Sequence, residues 1–254
     1  MSNIRIEGST ALVTGANRGI GRAIAEALLD NGVKKVYLGA RRPESVADLA
    51  DRYGERAVPV RLDVTNHEQV RAAAAFATDL DLLINNAGVA EHGESHFEDE
   101  LWLDAGRREY DVNVLGTLNL TQAFAPILAA NGGGAVANVV SVAGLVSFPL
   151  FFSYSASKAA LHNITQGMRI FLAGQDTRVF GVYPGPVDTD MAEKVPFEKV
   201  SPRSVADAVI TGIEAGTEEI FPDPMAEQFG AAYAESPKGL ERQVMAMALE
   251  GAAA

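Results

Sequence analysis

Thr14-Gly15-Ala16-Asn17-Arg18-Gly19-Ile20-Gly21 is the stretch that decides the fold. An apolar run, Thr10–Thr14 (TALVT), leads into it. A helical pattern over Ile20–Asn31, stopped by Gly32, leads out. Glycine lets the chain turn tightly and brings main-chain N–H groups close to a phosphate. The helix N-terminus adds a partial positive charge there, which favours a pyrophosphate. The spacing is G-x3-G-x-G, not the commoner G-x-G-x-x-G. A glycine-rich turn with no ligand is the alternative; its place between a strand and a helix counts against that. Gly15, Asn17, Arg18, Gly19, Ile20 and Gly21 are therefore candidate cofactor-binding residues.

Outward from this loop, short apolar runs alternate with helical patterns. Strands are expected at Lys35–Gly39 (KVYLG), Ala57–Leu62, Leu80–Asn85, Gly134–Ser141 and Arg178–Tyr183, with a last short one opening at Ile220–Pro222. Such alternation implies right-handed crossovers and a parallel sheet with helices on both faces. Near-continuous apolar strands fit a sheet buried on both sides. The expected class is α/β, a doubly wound, Rossmann-type sheet, in one domain over residues 1–254. Leu249–Ala254 reads as a frayed end.

The formal net charge of −12 repels phosphate backbones and anionic lipid, so no nucleic-acid or membrane partner is expected. There are no cysteines, which excludes disulfides, thiolate chemistry and a cysteine-based zinc site. Met1–Gly8 lacks the apolar core of a signal peptide, and no apolar run approaches the ~20 residues of a membrane span. A cytoplasmic location is the expectation.

In dinucleotide folds an acid about 20 residues beyond the loop binds the ribose 2′-hydroxyl. Here that point reads Leu38-Gly39-Ala40-Arg41-Arg42, with no carboxylate. A guanidinium pairs with a 2′-phosphate that a carboxylate would repel. Arg41, and less strongly Arg42, therefore favour NADP(H) over NAD, and Arg18 could close on the same phosphate from the other side. Asp63, followed by Val64, could accept from the adenine amino group; its alternative is an acid at the N-terminus of the helix beginning near Asn66.

Tyr154 and Lys158 stand four apart, on one face of a helix. A phenol with a pKa near ~10 is a poor base at neutral pH. A nearby ammonium and a cationic nicotinamide both favour phenolate, which suits an acid/base working on an alcohol or carbonyl oxygen. Tyr-x3-Lys alone is weak. Ser141 strengthens it, because it ends the fifth expected strand, where a serine can hydrogen-bond the same substrate oxygen.

The ordered set of motifs resembles the short-chain dehydrogenase/reductase family over almost the whole chain. It comprises the TGANRGIG loop, Asp63-Val64, Asn85-Asn86-Ala87-Gly88 and Asn113 within Tyr110–Gly116. Ser141, Tyr154 with Lys158, and Pro184-Gly185-Pro186-Val187-Asp188-Thr189 complete it. The resemblance implies that Tyr154 is the acid/base, that Lys158 lowers its pKa and binds the nicotinamide ribose, and that Ser141 orients the substrate oxygen. It implies that Asn113 holds a water linking Lys158 to solvent; a buried asparagine bonding a kinked helix backbone is a compatible alternative. Asn86, Ala87 and Gly88 would line the adenosine ribose, or serve structure alone. Pro184, Gly185, Val187 and Thr189 would hold the nicotinamide carboxamide. Members often form dimers or tetramers, for which Asn113–Leu128 and Ser157–Leu172 are candidate surfaces.

The substrate side is less legible. Phe148–Phe152 could wall an apolar pocket or form a subunit contact, and Asp190–Pro202 is where a substrate lid is expected. Together they suggest a small apolar or aromatic carbonyl or alcohol as substrate. His92 and His96 stand among acids, but a solvated loop is the favoured reading and no metal is called for. An NAD-linked dehydrogenase, a sugar epimerase or dehydratase of related fold, and a non-catalytic NADPH-binding redox sensor are the rivals. The sensor would not need Asn113, Ser141, Tyr154 and Lys158 together.

Overall fold

The computed structural model describes residues 4–91, 101–193 and 197–251. Among them a seven-stranded sheet is formed by β1 (Thr10–Thr14), β2 (Lys35–Ala40), β3 (Ala57–Arg61), β4 (Leu82–Asn85), β5 (Gly134–Val139), β6 (Thr177–Val182) and β7 (Glu219–Ile220). The spatial order is β3-β2-β1-β4-β5-β6-β7, and every pairing is parallel. This is the doubly wound α/β architecture expected from the sequence. The helices are α1 (Gly19–Asp30), α2 (Ala47–Tyr53), α3 (His67–Phe76), α4 (Leu101–Glu109), α5 (Thr117–Ala130), α6 (Phe152–Leu172), α7 (Pro202–Ala215), α8 (Pro224–Glu235) and α9 (Pro237–Gly251). A π-helical segment, Tyr110–Gly116, joins α4 to α5.

The strands are buried on both faces because each face carries its own apolar layer. On one side Ala11 and Val13 of β1 pack with Ile24 and Leu28 of α1, Leu49 of α2, and Val205, Val209 and Ile213 of α7. On the other side Leu12 and Leu83 meet Val70 of α3, Leu120, Phe124 and Leu128 of α5, and Met168 and Leu172 of α6. A third cluster joins α8 to α9 through Phe229, Leu240 and Val244. Of the end expected to fray, Leu249–Gly251 continue α9, and residues 252–254 lie outside the described residues.

Strand bounds shift from expectation by a residue or two, and two of the shifts bear on the site or its strand. The Asp81 carboxylate accepts the Thr10 N–H at 2.8 Å, and the β4 ladder opens only at Leu82. β5 stops at Val139, so Ser141 lies two residues past the strand. Helix Trp102–Ala130, taken as one rod, is long and apolar enough by length and composition to cross a membrane, which the sequence reading did not anticipate. Its side chains Leu120, Phe124 and Leu128 are buried against the sheet.

The topology places the site. β1 lies between β2 and β4, so the chain leaves β1 toward one side and returns at β4 on the other. Loops after these two strands diverge and open a crevice at the carboxyl edge of the sheet, where open α/β sheets take their ligands.

Candidate active site

A cleft of about 1110 Å³ runs along this edge. Its walls include Gly15, Asn17, Arg18, Gly19, Ile20, Arg41, Arg42, Asp63, Val64, Asn86, Ala87, Gly88, Ser141, Tyr154, Lys158, Pro184, Gly185, Val187 and Thr189. Two of the expected site residues, Gly21 and Asn113, are buried behind the walls. His92 and His96 lie outside the described residues, as does Val195 in the expected lid.

The glycine loop is tied down from three directions. The Ala16 N–H donates to the Gly39 carbonyl of β2 at 3.2 Å. The Thr14 hydroxyl accepts from the N–H groups of Asn86 and Ala87, each at 2.9 Å. Asn86 Nδ2 donates back to the Thr14 carbonyl at 2.9 Å. Thr14, which sequence reasoning did not single out for a role, is thus the pin between β1 and β4. Gly15 has φ +65°, which disfavours any side chain. At Gly21 a Cβ would lie 2.2 Å from Asn86 Nδ2 and 2.4 Å from the Gly15 carbonyl. Gly21 therefore acts by letting α1 sit against the loop.

The first turn of α1 holds no acid, and its N-cap residue, Arg18, makes no capping hydrogen bond. The N-terminus of α1, through Gly19 and Ile20, lines the cleft, and its N–H groups and dipole are what a pyrophosphate needs. The fit extends to the end of β2, where Ala40 is buried and Arg41 and Arg42 are exposed. Arg18 also lines the cleft. Its Nη1 reaches Asp190 Oδ2 at 2.7 Å across the cleft. Asp63 Oδ1 accepts from the N–H and hydroxyl of Thr65, at 3.0 and 2.7 Å. The helix N-cap is Asn66, which accepts from the Glu68 and Gln69 N–H groups.

Tyr154 and Lys158 lie on α6, with the Lys158 Nζ 5.5 Å from the centre of the Tyr154 ring. Lys158 Nζ donates to the Val139 carbonyl at the end of β5, at 2.8 Å. Burial pushes the Tyr154 phenol up to about 12; the Ser141 hydroxyl draws it down and the charge of Glu109 pushes it further up. Burial draws the Lys158 ammonium down to about 7, opposed by Glu109. Among the protein's own groups burial is therefore the largest influence on the phenol, and Ser141 opposes it. The protein's own groups hold Tyr154 protonated at neutral pH, the form that gives a proton to a carbonyl.

Ser141 stands at φ 154°, ψ 157°, a strained backbone for a residue with a side chain. Its hydroxyl donates to the Pro184 carbonyl at 3.3 Å and accepts from the Ala143 N–H at 3.1 Å. The Pro184–Thr189 segment is braced by Asp223, whose Oδ2 accepts the Gly185 N–H at 2.8 Å while Oδ1 accepts from the Ala226 N–H of α8. Asp223 escaped the sequence reading because its partner is 38 residues away.

Asn113 sits inside the π-helical segment. Its Oδ1 accepts from the Val89 N–H at 2.8 Å, and its Nδ2 donates to the Val89 carbonyl at 2.9 Å and to Ser157 Oγ at 3.0 Å. The side chain therefore clamps the segment that leaves β4. A Cβ on Gly88 would lie 3.2 Å from Asn113 Oδ1 and 3.7 Å from Lys158 Nζ, so both groups converge on one point.

The aromatic run divides. Phe148 and Phe151 line the cleft, Phe148 stacked on Phe229 and Phe151 edge-on to Tyr154, with centroids 5.8 and 6.1 Å apart. Leu150 and Phe152 face outward. Met191, Phe197 and Met225 complete an apolar wall opposite.

The short chain dehydrogenase family model matches residues 9–199, and this chain belongs to that family of oxidoreductases. A 7α-hydroxysteroid dehydrogenase of Escherichia coli is 33% identical over 199 residues, 76% of this chain and 76% of its own length. The crystal structure of a short chain dehydrogenase from Burkholderia cenocepacia in complex with NADP is 43% identical with a TM-score of 0.87, covering 95% of this chain and 99% of that one. A 7α-hydroxysteroid dehydrogenase complexed with NADH and 7-oxo glycochenodeoxycholic acid is 28% identical with a TM-score of 0.77, covering 86% and 93%.

Proposed function

We propose that this protein is an NADP(H)-dependent oxidoreductase acting on the carbonyl or alcohol carbon of a small apolar or aromatic substrate, with Tyr154 as acid/base. The observation that carries it is the meeting of Ser141, Tyr154 and Lys158 in the cleft that also holds the glycine loop. Bound there, the nicotinamide would supply or accept a hydride. The loop from Gly15 to Ile20 would hold its pyrophosphate, Arg41 its 2′-phosphate, and Pro184, Gly185, Val187 and Thr189 its carboxamide. Asp63 and Val64 would meet the adenine, and Asn86, Ala87 and Gly88 its ribose.

Tyr154 gives a proton to the substrate oxygen in reduction and takes it back in oxidation. Ser141 donates a hydrogen bond to the same oxygen and so fixes where it lies. Lys158 holds the ribose and the charge beside the phenol. Asn113 keeps the Val89 segment and α6 in register beneath them, and is the residue through which a water would reach Lys158. Phe148, Phe151, Met191 and Phe197 exclude water around the reacting carbon and favour apolar or aromatic carbonyls.

The preference for the phosphorylated cofactor rests on the cationic, carboxylate-free end of β2, and the NADP complex of the Burkholderia relative supports it. The reading extends to residues 1–254 as one domain in the cytoplasm. It also extends to homodimers or tetramers, supported by outward apolar side chains on the helices involved, Leu115 before α5 and Ile170 and Phe171 on α6.

Titration of the protein with NADPH and NADH separately, then turnover of aryl and alkyl ketones by wild type and Tyr154→Phe, tests the proposal. The expected result is preferred binding and oxidation of NADPH. The phenylalanine variant should bind NADPH normally and turn over about 10²–10⁴-fold more slowly. Turnover retained by Tyr154→Phe removes the tyrosine from its role. NADPH binding without turnover of any carbonyl moves the protein to the sensor class.

A further inference from the structure

A carboxyl is buried where α4 packs on α6, the helix that carries the catalytic pair. Glu109, the last residue of α4, has no exposed surface. Its Oε1 accepts from the Glu91 main-chain N–H at 2.7 Å, in the segment leaving β4. Its Oε2 and the Ser153 hydroxyl on α6 are both buried and, among the described residues, neither makes a hydrogen bond of full geometry, although the hydroxyl lies near enough to favour the carboxylate. An acid is costly in such a place, so a fully enclosed glutamate with one oxygen unmatched calls for a reason.

The helices supply one. α4 and its π-helical continuation pack on α6, close enough that a Cβ on Gly106 would lie 3.6 Å from that of Ser153. The two faces match at four-residue steps. Glu109 faces Ser153, and Asn113 is bonded to Ser157. The seam continues along the helix, as Thr117 donates to the Asn113 carbonyl and Thr121 to the Thr117 carbonyl. One residue beyond each serine on α6 stand Tyr154 and Lys158. Glu109 thus occupies the near end of a polar seam whose other side carries the catalytic pair.

The groups around Glu109 come from three elements. Burial pushes its acid up most; the Glu91 main-chain N–H, the Ser153 hydroxyl and Arg108 on its own helix favour the carboxylate, and the Glu91 charge opposes it. Around Lys158 the charged neighbour that opposes burial is Glu109, and the same charge holds the Tyr154 proton on.

We propose that Glu109 is a positioning residue for the catalytic pair, the buried counter-charge that keeps Lys158 an ammonium and Tyr154 a phenol. It biases the site toward the proton-donating state that carbonyl reduction needs. The proposal rests on the assignment of Tyr154 and Lys158 as the reacting pair. Glutamine is the discriminating substitution, because its Oε1 still accepts the Glu91 N–H while the charge is gone.

The test is a pH titration of the Lys158 ε-carbon by NMR in the full-length protein, with the resonance assigned by its loss in Lys158→Arg. In Glu109→Gln the midpoint should fall by about one pH unit, the effect of losing one nearby opposite charge. Ser153→Ala removes a group that favours the carboxylate, and should move the midpoint the same way by less. In ketone reduction, the alkaline limb of kcat/KM should move to lower pH in Glu109→Gln, since nothing then holds the Tyr154 proton back. An unchanged Lys158 midpoint in a folded Glu109→Gln protein overturns the proposal. If that variant does not fold, an unchanged midpoint in Ser153→Ala does so. An even loss of kcat/KM across all pH, with no displaced limb, marks a merely structural role and also overturns it. Failure of the underlying assignment shows separately, as turnover by Tyr154→Phe.

Discussion

The two ends of the cleft are built on different principles. The end beside β1 and β2 is main chain. Glycines, the helix N-terminus at the start of α1 and the Thr14–Asn86 pin shape its floor, with Arg18, Arg41 and Asp63 in its walls. The other end is made of side chains from segments far apart in sequence. Phe148 and Phe151 come from before α6, Met191 and Phe197 from beyond β6, and Met225 from α8. A wall of backbone serves a ligand part that does not vary, because its geometry is set by local dihedral angles. A wall of side chains can be changed residue by residue without disturbing the sheet, which suits a part that sets specificity.

The contrast can be broken most severely at Gly21. Gly21→Val would drive a Cβ into Asn86 Nδ2 and the Gly15 carbonyl, at 2.2 and 2.4 Å. NADPH affinity should fall at least about 100-fold with a lowered melting temperature, read by cofactor fluorescence and a thermal scan. Unaltered binding would show that the loop tolerates displacement, and the main-chain account of that end would fail.

Arg41→Ala sharpens the comparison without touching the backbone. A charge-assisted pair is worth about 1.5–3 kcal/mol, so NADPH affinity should drop about 10–100-fold while NADH affinity stays within a factor of two. Equal losses for both cofactors would remove the 2′-phosphate from the role assigned to it.

At the opposite end, Phe148→Ala should raise KM for aromatic ketones about tenfold through lost apolar contact, with kcat and cofactor affinity nearly unchanged. A cofactor defect there would mean the two ends are not separable.

The smallest effect is expected where the ends touch. The Arg18–Asp190 pair is exposed, at 66% and 74% for the two side chains, and such pairs are worth ~0–1 kcal/mol. Asp190→Ala frees Arg18 for the cofactor phosphates and should tighten NADPH binding by a few-fold at low salt. Weaker binding would show that Asp190 serves the cofactor directly.

These ends also differ in how far they could be read in advance. The loop Thr14–Gly21, the carboxylate-free Ala40-Arg41 and the Tyr154–Lys158 pair are local patterns, in which spacing alone implies a turn, a strand end or one helix face. Arg18 was legible as a loop cation but not in its choice of Asp190, 172 residues away. The split of Phe148–Phe152 into two cleft-lining rings and outward side chains depends on how a short helical turn at Pro149–Phe151 is rotated, and an apolar run carries no sign of that. Glu109 looked like one more charge in the acidic and basic run of Arg107-Arg108-Glu109, because nothing local announces that a helical residue is fully enclosed.

By itself the sequence determined the parallel α/β sheet, the place of the phosphate loop and the identity of the residues along the carboxyl edge. Each of these follows from short-range rules: hydrophobic period, glycine geometry and helix spacing. Only the tertiary structure decided that Thr14 and Asp223 brace the cleft, that Asn113 clamps Val89 from a π-helical turn, that burial outweighs Ser141 at the Tyr154 phenol, and that a carboxyl is buried where α4 packs on α6. Those are matters of which distant groups meet and how much water is excluded where they do. Electrostatic free energy in a protein depends on that enclosure far more steeply than on residue type.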